Sequence, residues 1–457
     1  MRTRMPFRYG IATMTNVPHL FLQALCEIDG KLVQGIASEG LLPKWFTKNP
    51  DTSHEEEVAD MLEVIQEASD KAISMEDKPS VFHWWLSLYK LQQEWGREKN
   101  IPGLLWGFGV SMIERAVIDS FCKAKNITFN QALKENLFGM ELGEVFPELI
   151  GLKPQELLKT NYSDQMFIRH TIGLSDYLRQ EDIEDKELVT DGLPQSFEEC
   201  LKTYDLKKFK LKVSGEINKD IARLIQIAEI INENGLKDFG FTLDGNEQFN
   251  NAEEFKEFWL AIAKEPQLEE FFKHLIFVEQ PIHRNKAISE DTKEVFNRWI
   301  NKPNIIIDES DAELLSLYTA LQSGYDGTSH KNCKGVFRGI INACLLEYYR
   351  RANPAKEYIL SGEDLTTVGP VCLLQDLTVA NALGISHIER NGHHYFRGLS
   401  MYSQEVQEKV LNYHNDLYEK HSEGFATLKI RDGRINIKTL KEAPFGLGID
   451  FDPSIYK

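Results

Sequence analysis

Short apolar runs that carry or close on a charged residue recur through the middle of this chain. They constrain its fold more than any other feature. The runs are Phe209-Lys210-Leu211-Lys212-Val213, Phe241-Thr242-Leu243-Asp244, Leu275-Ile276-Phe277-Val278-Glu279 and Ile305-Ile306-Ile307-Asp308, and a fifth leads to Lys331. Brief, nearly continuous apolar stretches of this kind read as buried parallel strands. From Lys212 through Asp244, Glu279 and Asp308 to Lys331 the intervals are 32, 35, 29 and 23 residues, about one β/α unit each. Helical segments fill the gaps: Lys219 to Asn234 stops at Gly235, Asp311 to Ser323 at Gly324, and Val336 to Ala352 at Asn353-Pro354.

With Met166–Thr171, Tyr358–Ser361 and Ile385–Ile388 added, and the second run extended to Phe239–Asp244, the candidate strands number eight between about Tyr162 and Arg390. Eight units in that length predict an α/β fold, a (β/α)8 TIM-type barrel. A doubly wound open sheet also alternates strand and helix, but no glycine-rich phosphate loop follows the early strands. Before the barrel, His19 to Ile28 and Lys31 to Ser38 flank Asp29-Gly30, a type I′ hairpin signal. Helical texture then runs from about Ser53 to Phe129. The tail returns to β, with Phe425–Ile430 and Arg434–Ile437 flanking Arg431-Asp432-Gly433. The expected organisation is an α+β capping domain over 1–160, the barrel over 161–415, and a segment over 416–457 that returns to the cap.

Composition narrows the partners. A net charge of −18 lacks the basic surface that nucleic acid or an anionic membrane would need. No apolar stretch approaches the length that spans a bilayer, and no apolar region follows the first basic residues as a secretory signal requires. Six cysteines without CxxC spacing suit reduced packing residues in a cytoplasmic protein.

A carboxylate at the end of a buried strand is costly unless a cation compensates it. Asp244 and Asp308 could each be a helix N-cap, and the Lys210/Lys212 alternation could be a solvent-facing ladder. Three acids on three consecutive units favour a shared site instead. Asp244, Glu279 and Asp308 offer the hard oxygen ligands and incomplete shell that Mg²⁺ prefers. Lys212 on the second strand and Lys331 on the sixth would stand on opposite sides of the ring. That arrangement suits removal of a proton next to a carboxylate through an enediolate, stabilised by a divalent cation and lysine charge. Lys210, on the same face as Lys212, would act as an electrostatic helper.

Lys210-Leu211-Lys212-Val213, Leu243-Asp244-Gly245-Asn246, Val278-Glu279-Gln280-Pro281, Asp308-Glu309-Ser310 and Lys331-Asn332-Cys333-Lys334-Gly335 together resemble the enolase superfamily. Within it they are most similar to the muconate-lactonising and dipeptide-epimerase-like branch of the mandelate racemase/muconate lactonizing enzyme family. The resemblance implies metal ligation by Asp244, Glu279 and Asp308, binding Mg²⁺ or in its place Mn²⁺. It implies acid/base roles for Lys212 and Lys331, and polarisation of the substrate carboxylate by Lys210. Lys331 is preferred over Lys334 because it ends the predicted strand. Loops at Met14–Pro18 and Gly40–Phe46 would close over the substrate. Asn246, Glu309, Glu363 and Arg390 are the candidate substrate contacts; Glu363 could instead belong to an acid-flanked helix N-terminus, and Arg390 could be a surface or packing residue.

Two departures matter. The His-Asp dyad of mandelate racemase is absent, and so is the Asp-x-Asp of dipeptide epimerases, whose place holds His387-Ile388-Glu389-Arg390. The expectation is a racemase or epimerase using a Lys-Lys pair on a small-molecule carboxylate, in a homo-oligomer. A dehydratase or other lyase on the same enediolate is the first alternative, and a non-catalytic anion-binding barrel the second.

Overall fold

The structure is a computed structural model that describes residues 1–9, 12–158 and 163–456. Tyr162 and the boundary expected at 160/161 lie outside these residues. The N-terminal part contains two antiparallel hairpins and three long helices. Strands β1 (Arg2–Tyr9) and β2 (Ala12–Asn16) pair in one hairpin, β3 (His19–Ile28) and β4 (Lys31–Gly40) in the other. Asp29 and Gly30 both have positive φ, as the type I′ turn requires. Helices α1 (His54–Ser74), α2 (Val81–Glu98) and α3 (Gly103–Lys125) follow. Ser53 caps α1 in a capping box with Glu56, and α3 ends on Asn126 in the left-handed conformation. β4 lies so close to α3 that a Cβ on Gly35 would stand 1.9 Å from the Ala116 carbonyl oxygen.

The barrel strands are β5 (Gln165–Ile172), β6 (Lys208–Lys212), β7 (Gly240–Asp244), β8 (Leu275–Glu279), β9 (Ile305–Ile307), β10 (Gly327–His330), β11 (Ile359–Gly362) and β12 (His387–Arg390). All run parallel, each beside the next, and β12 pairs with β5 to close the ring. The eight predicted strands are therefore present, in a (β/α)8 barrel. Apolar residues of β6 and β7 face the helices: Phe209 meets Phe197 edge-on and Phe241 stacks on Phe271 at 4.2 Å. The lysines of β6 consequently point into the barrel, and Lys210 is 2% exposed, so the solvent-ladder alternative does not hold.

Two local expectations need correction. The helix expected over Asp311–Ser323 forms only at Ser316–Gln322. Its first turn is diverted by tertiary contacts: the Asp311 and Ala312 carbonyls accept hydrogen bonds from Arg338, and the Leu314 N–H donates to Tyr89. In the tail, β14 (Ala426–Leu428) pairs with β13 (Tyr418–Lys420), not with β15 (Arg434–Asn436). β15 instead pairs antiparallel with β5, and Arg431 and Arg434 form only an isolated bridge. Beyond it the chain reaches the N-terminal part, where Phe445 contacts Phe129, and Phe451 and Tyr456 contact Phe21.

Candidate active site

Strand register sets the site. Lys212 lies opposite Asp244 across β6 and β7, and Asp244 opposite Glu279 across β7 and β8. Asp308 follows β9 directly, and Lys331 follows β10. The turn carrying Asp308 is built by Gln280, which sequence reasoning did not single out. Its Oε1 accepts from the Asp308 and Ser310 N–H groups at 2.8 and 3.0 Å, while its Nε2 donates to Ile282 O and Ser310 Oγ.

Lys210 is the electrostatic centre. Its Nζ lies 3.0 Å from Asp244, 2.8 Å from Glu279, 2.8 Å from Glu363 and 3.0 Å from Glu389. Burial would lower the Lys210 pKa, but these carboxylates outweigh it and hold the ammonium charged. Lys212 bonds Asp244 at 2.5 Å. Lys331 bonds Asp308 at 2.7 Å, and Lys334 reaches the other Asp308 oxygen at 3.2 Å. Burial pushes the Asp308 carboxyl up, yet Lys331 and Lys334 hold it well below the usual range, and Lys331 is raised in turn by Asp308 against its own burial. Glu279 goes the other way: burial, then Asp244 and Glu363, raise it well above an ordinary glutamate.

These groups surround a small cavity of about 30 Å³. Lys210, Lys212, Asp244, Asn246, Asp308, Glu309, Lys331 and Glu389 form its floor and sides, with Asp364, Leu365, Thr366 and Asn391 beyond β11 and β12. Lys334 is absent from that lining, whereas Lys331 is on it. The roof is Phe7, Leu42 and Trp45, with the Trp45 ring centroid 4.5 Å from Lys331 Nζ. The expected Gly40–Phe46 loop is thus on the site. The Met14–Pro18 loop is not: it lines a separate open groove, and Phe7 on β1 takes the place expected of it. Arg284 ties the roof to the barrel, donating to the Trp45 and Phe46 carbonyls at 3.0 Å each while its Nε bonds Glu247 at 2.8 Å.

The candidate substrate contacts divide. Asn246 and Glu309 line the cavity and bond each other at 2.9 Å, and the Glu309 carboxyl is pushed up to about 7 by burial, Asp308 and Glu247. Glu363 lies inside the barrel, bonded to Lys210, Arg169 and Ser361. Arg390 is not brought to the cavity. It is 1% exposed, and its guanidinium bonds Asp364, Thr367 and Asp376, so its packing reading applies. His393 and His394 also turn away from the cavity, toward His170 and Cys200. Glu389 escaped the sequence reading because the last strand was ended at Ile388, whereas β12 runs on through Arg390. The rule that exposed the other acids would have found it.

The donor set fits a hard divalent cation. Asp244, Glu279 and Asp308 supply carboxylate oxygens from consecutive units, and Glu279 Oε2, though 2.8 Å from Lys210, lacks a hydrogen bond of good geometry. Cation binding requires the lysine ammoniums to yield some of these oxygens.

Fold and site together define a capped (β/α)8 barrel with strand-end carboxylates and facing lysines. No protein-family model and no curated protein matches the sequence. Solved structures do match in fold. One is an enolase from Bradyrhizobium complexed with magnesium and mandelic acid, 12% identical, covering 95% of this chain and 90% of that chain, with a TM-score of 0.57. Another is a mandelate racemase/muconate lactonizing enzyme from Bordetella bronchiseptica, 11% identical over 99% of this chain and 96% of that chain, TM-score 0.58. A variant of muconate cycloisomerase is 15% identical over 99% and 96% of the two chains, also at 0.58. The chain has the fold shared by these enolase-superfamily proteins over nearly its whole length.

Proposed function

We propose that the chain is a Mg²⁺-dependent racemase or epimerase that removes the proton next to a substrate carboxylate and returns one to the same carbon. The observation that carries this reading is the pair Lys212 and Lys331, which line one cavity from strands four apart in an eight-stranded ring. The names of the fold neighbours support it: one holds magnesium and mandelic acid, and others are a mandelate racemase/muconate lactonizing enzyme and a cycloisomerase.

Asp244, Glu279 and Asp308 would hold the cation, which when bound supplies Lewis-acid stabilisation of the charge that develops on the carboxylate. Lys331, kept charged by Asp308, is the proton donor in one direction. Lys212 is the acceptor once Asp244 is engaged elsewhere, and the roles reverse for the opposite enantiomer. Lys210 places fixed positive charge beneath the enediolate. Leu42 and Trp45 exclude water. A cavity of about 30 Å³ is far smaller than an ordinary ligand pocket, so a substrate would need the roof to move aside.

The test is α-proton exchange in D₂O with Mg²⁺ and a panel of chiral 2-substituted acids. Racemisation with exchange is expected. Lys212→Ala and Lys331→Ala should each lower racemisation by about 10²–10⁴-fold. Each variant should keep exchange with only one enantiomer, opposite for the two. Release of a 2-keto acid would overturn the isomerase reading in favour of elimination, and symmetric loss of exchange would overturn the two-base assignment.

A further inference from the structure

A second cluster of ligating side chains lies where the barrel closes, apart from the carboxylates. His170 is on β5, Cys200 on the helix Phe197–Tyr204, and His394 in the short helix after β12. One ligand atom from each lies within 4.8 Å of the other two, and all three residues are buried. Cys200 Sγ and His394 Nδ1 are 3.5 Å apart, close to the sulfur–nitrogen separation across a tetrahedral zinc with bonds of about 2.3 and 2.0 Å. His170 Nδ1 lies 3.1 Å from His393 Nε2. That contact fixes the His170 ring and leaves its Nε2 to bind, as partners of metal-bound histidines commonly do.

Hydrogen bonding within the cluster is sparse. Three imidazoles and a thiol share two internal hydrogen bonds at 3.1 and 3.5 Å, and His393 Nδ1 is buried with no hydrogen-bond partner. Buried polar groups left this way are costly and rare. Arg4 is committed to Asp191 and to the His394 carbonyl, not to the His394 ring, whose Nδ1 faces Cys200 Sγ.

We propose that His170, Cys200 and His394 form a structural site for a borderline-soft divalent metal ion, Zn²⁺ foremost, with His393 orienting His170. Binding releases the Cys200 thiol proton to solvent, so that thiolate sulfur and two imidazole nitrogens coordinate the ion. Thiolate ligation excludes Mg²⁺, which takes oxygen ligands, so the site is chemically separate from the carboxylate site. The ion would tie the first strand, the first barrel helix and the last turn together. That turn follows Glu389 and Asn391, both of which line the cavity.

The test uses the full chain, stripped of metal and titrated with Co²⁺ in excess Mg²⁺. One equivalent should bind with thiolate-to-cobalt charge-transfer absorption and tetrahedral d–d bands, and Zn²⁺ should displace it. Cys200→Ser should abolish the charge-transfer band and weaken Co²⁺ binding at least about 100-fold. His393→Phe should weaken it about 10-fold while retaining the band. If Cys200→Ser does not fold, His394→Gln is read the same way, by loss of tight binding. The absence of a thiolate band in the wild type, or an unchanged spectrum in both ligand variants, would overturn the proposal. Neither outcome bears on the carboxylate site, because oxygen-ligated Co²⁺ gives no such band.

Discussion

Glu114 gives the protein a pH dependence that can be isolated by one substitution. It sits on α3, fully buried, where its Oε1 accepts from the Val336 N–H at the start of the helix Val336–Ala352 and its Oε2 has no partner. Burial pushes its carboxyl up to about 8, against the opposing pull of the Val336 hydrogen bond and of Arg115. In the unfolded chain the same group ionises near 4.5. The folded state therefore binds the extra proton. Its contribution to stability is complete below about pH 4.5, declines as pH rises toward 8, and stays lost above that. At about 1.4 kcal/mol per unit, the full swing is about 3–5 kcal/mol.

Glu114→Gln keeps the Val336 hydrogen bond and fixes the neutral form. Urea unfolding at a series of pH values should show wild type and variant within about 1 kcal/mol at pH 4. The variant should become more stable by about 3–5 kcal/mol at pH 9, because every other titrating group cancels in the difference. Parallel stability profiles for the two proteins would refute the reasoning.

Arg284→Ala strips two carbonyls of the roof loop and leaves Glu247 buried with Lys48, at 3.2 Å, as its one remaining charged partner beside the residue-284 backbone N–H. A loss of about 3 kcal/mol in urea unfolding is expected, with faster hydrogen exchange at residues 45–48, and Arg284→Lys should not rescue it because lysine lacks the fork. Gly35→Ala would place a methyl group 1.9 Å from the Ala116 carbonyl, so a loss of about 3 kcal/mol or outright misfolding is expected, read by thermal denaturation.

Much of the barrel was legible because five consecutive strands end in, or lead directly to, a residue that is expensive to bury. The cost of Asp244, Glu279 and Asp308 makes chance recurrence at β/α spacing improbable, so the pattern points to a common interior. The Asp29-Gly30 hairpin was legible for a local reason, since its turn dictates positive φ. What could not be read depends on contacts between distant segments. Whether Arg390 faces a ligand or a carboxylate is decided by Asp364 and Asp376, which sequence places on other elements. The pairing of β15 with β5 depends on where the tail meets the barrel, and strand pattern alone is silent on partners. The assignment of Phe7 to the roof, where the Met14–Pro18 loop was expected, depends on how the first hairpin docks. The candidate metal ligands and the lysines were read from chemistry, whereas the hub position of Lys210, with four carboxylates about it, required the ring to be closed.

Arg284 grips the roof loop by the main-chain oxygens of Trp45 and Phe46, not by their side chains. Such a hold is indifferent to sequence. The side chains that Leu42 and Trp45 present to the cavity can be exchanged while the handle stays the same, so the loop behaves as an interchangeable bit in a fixed chuck. The lysines and carboxylates stay on the strand ends, where any shift would disturb several neighbours at once. Under the proposed function, substitutions at Leu42 and Trp45 would retune which molecule is accepted without altering the charged groups beneath.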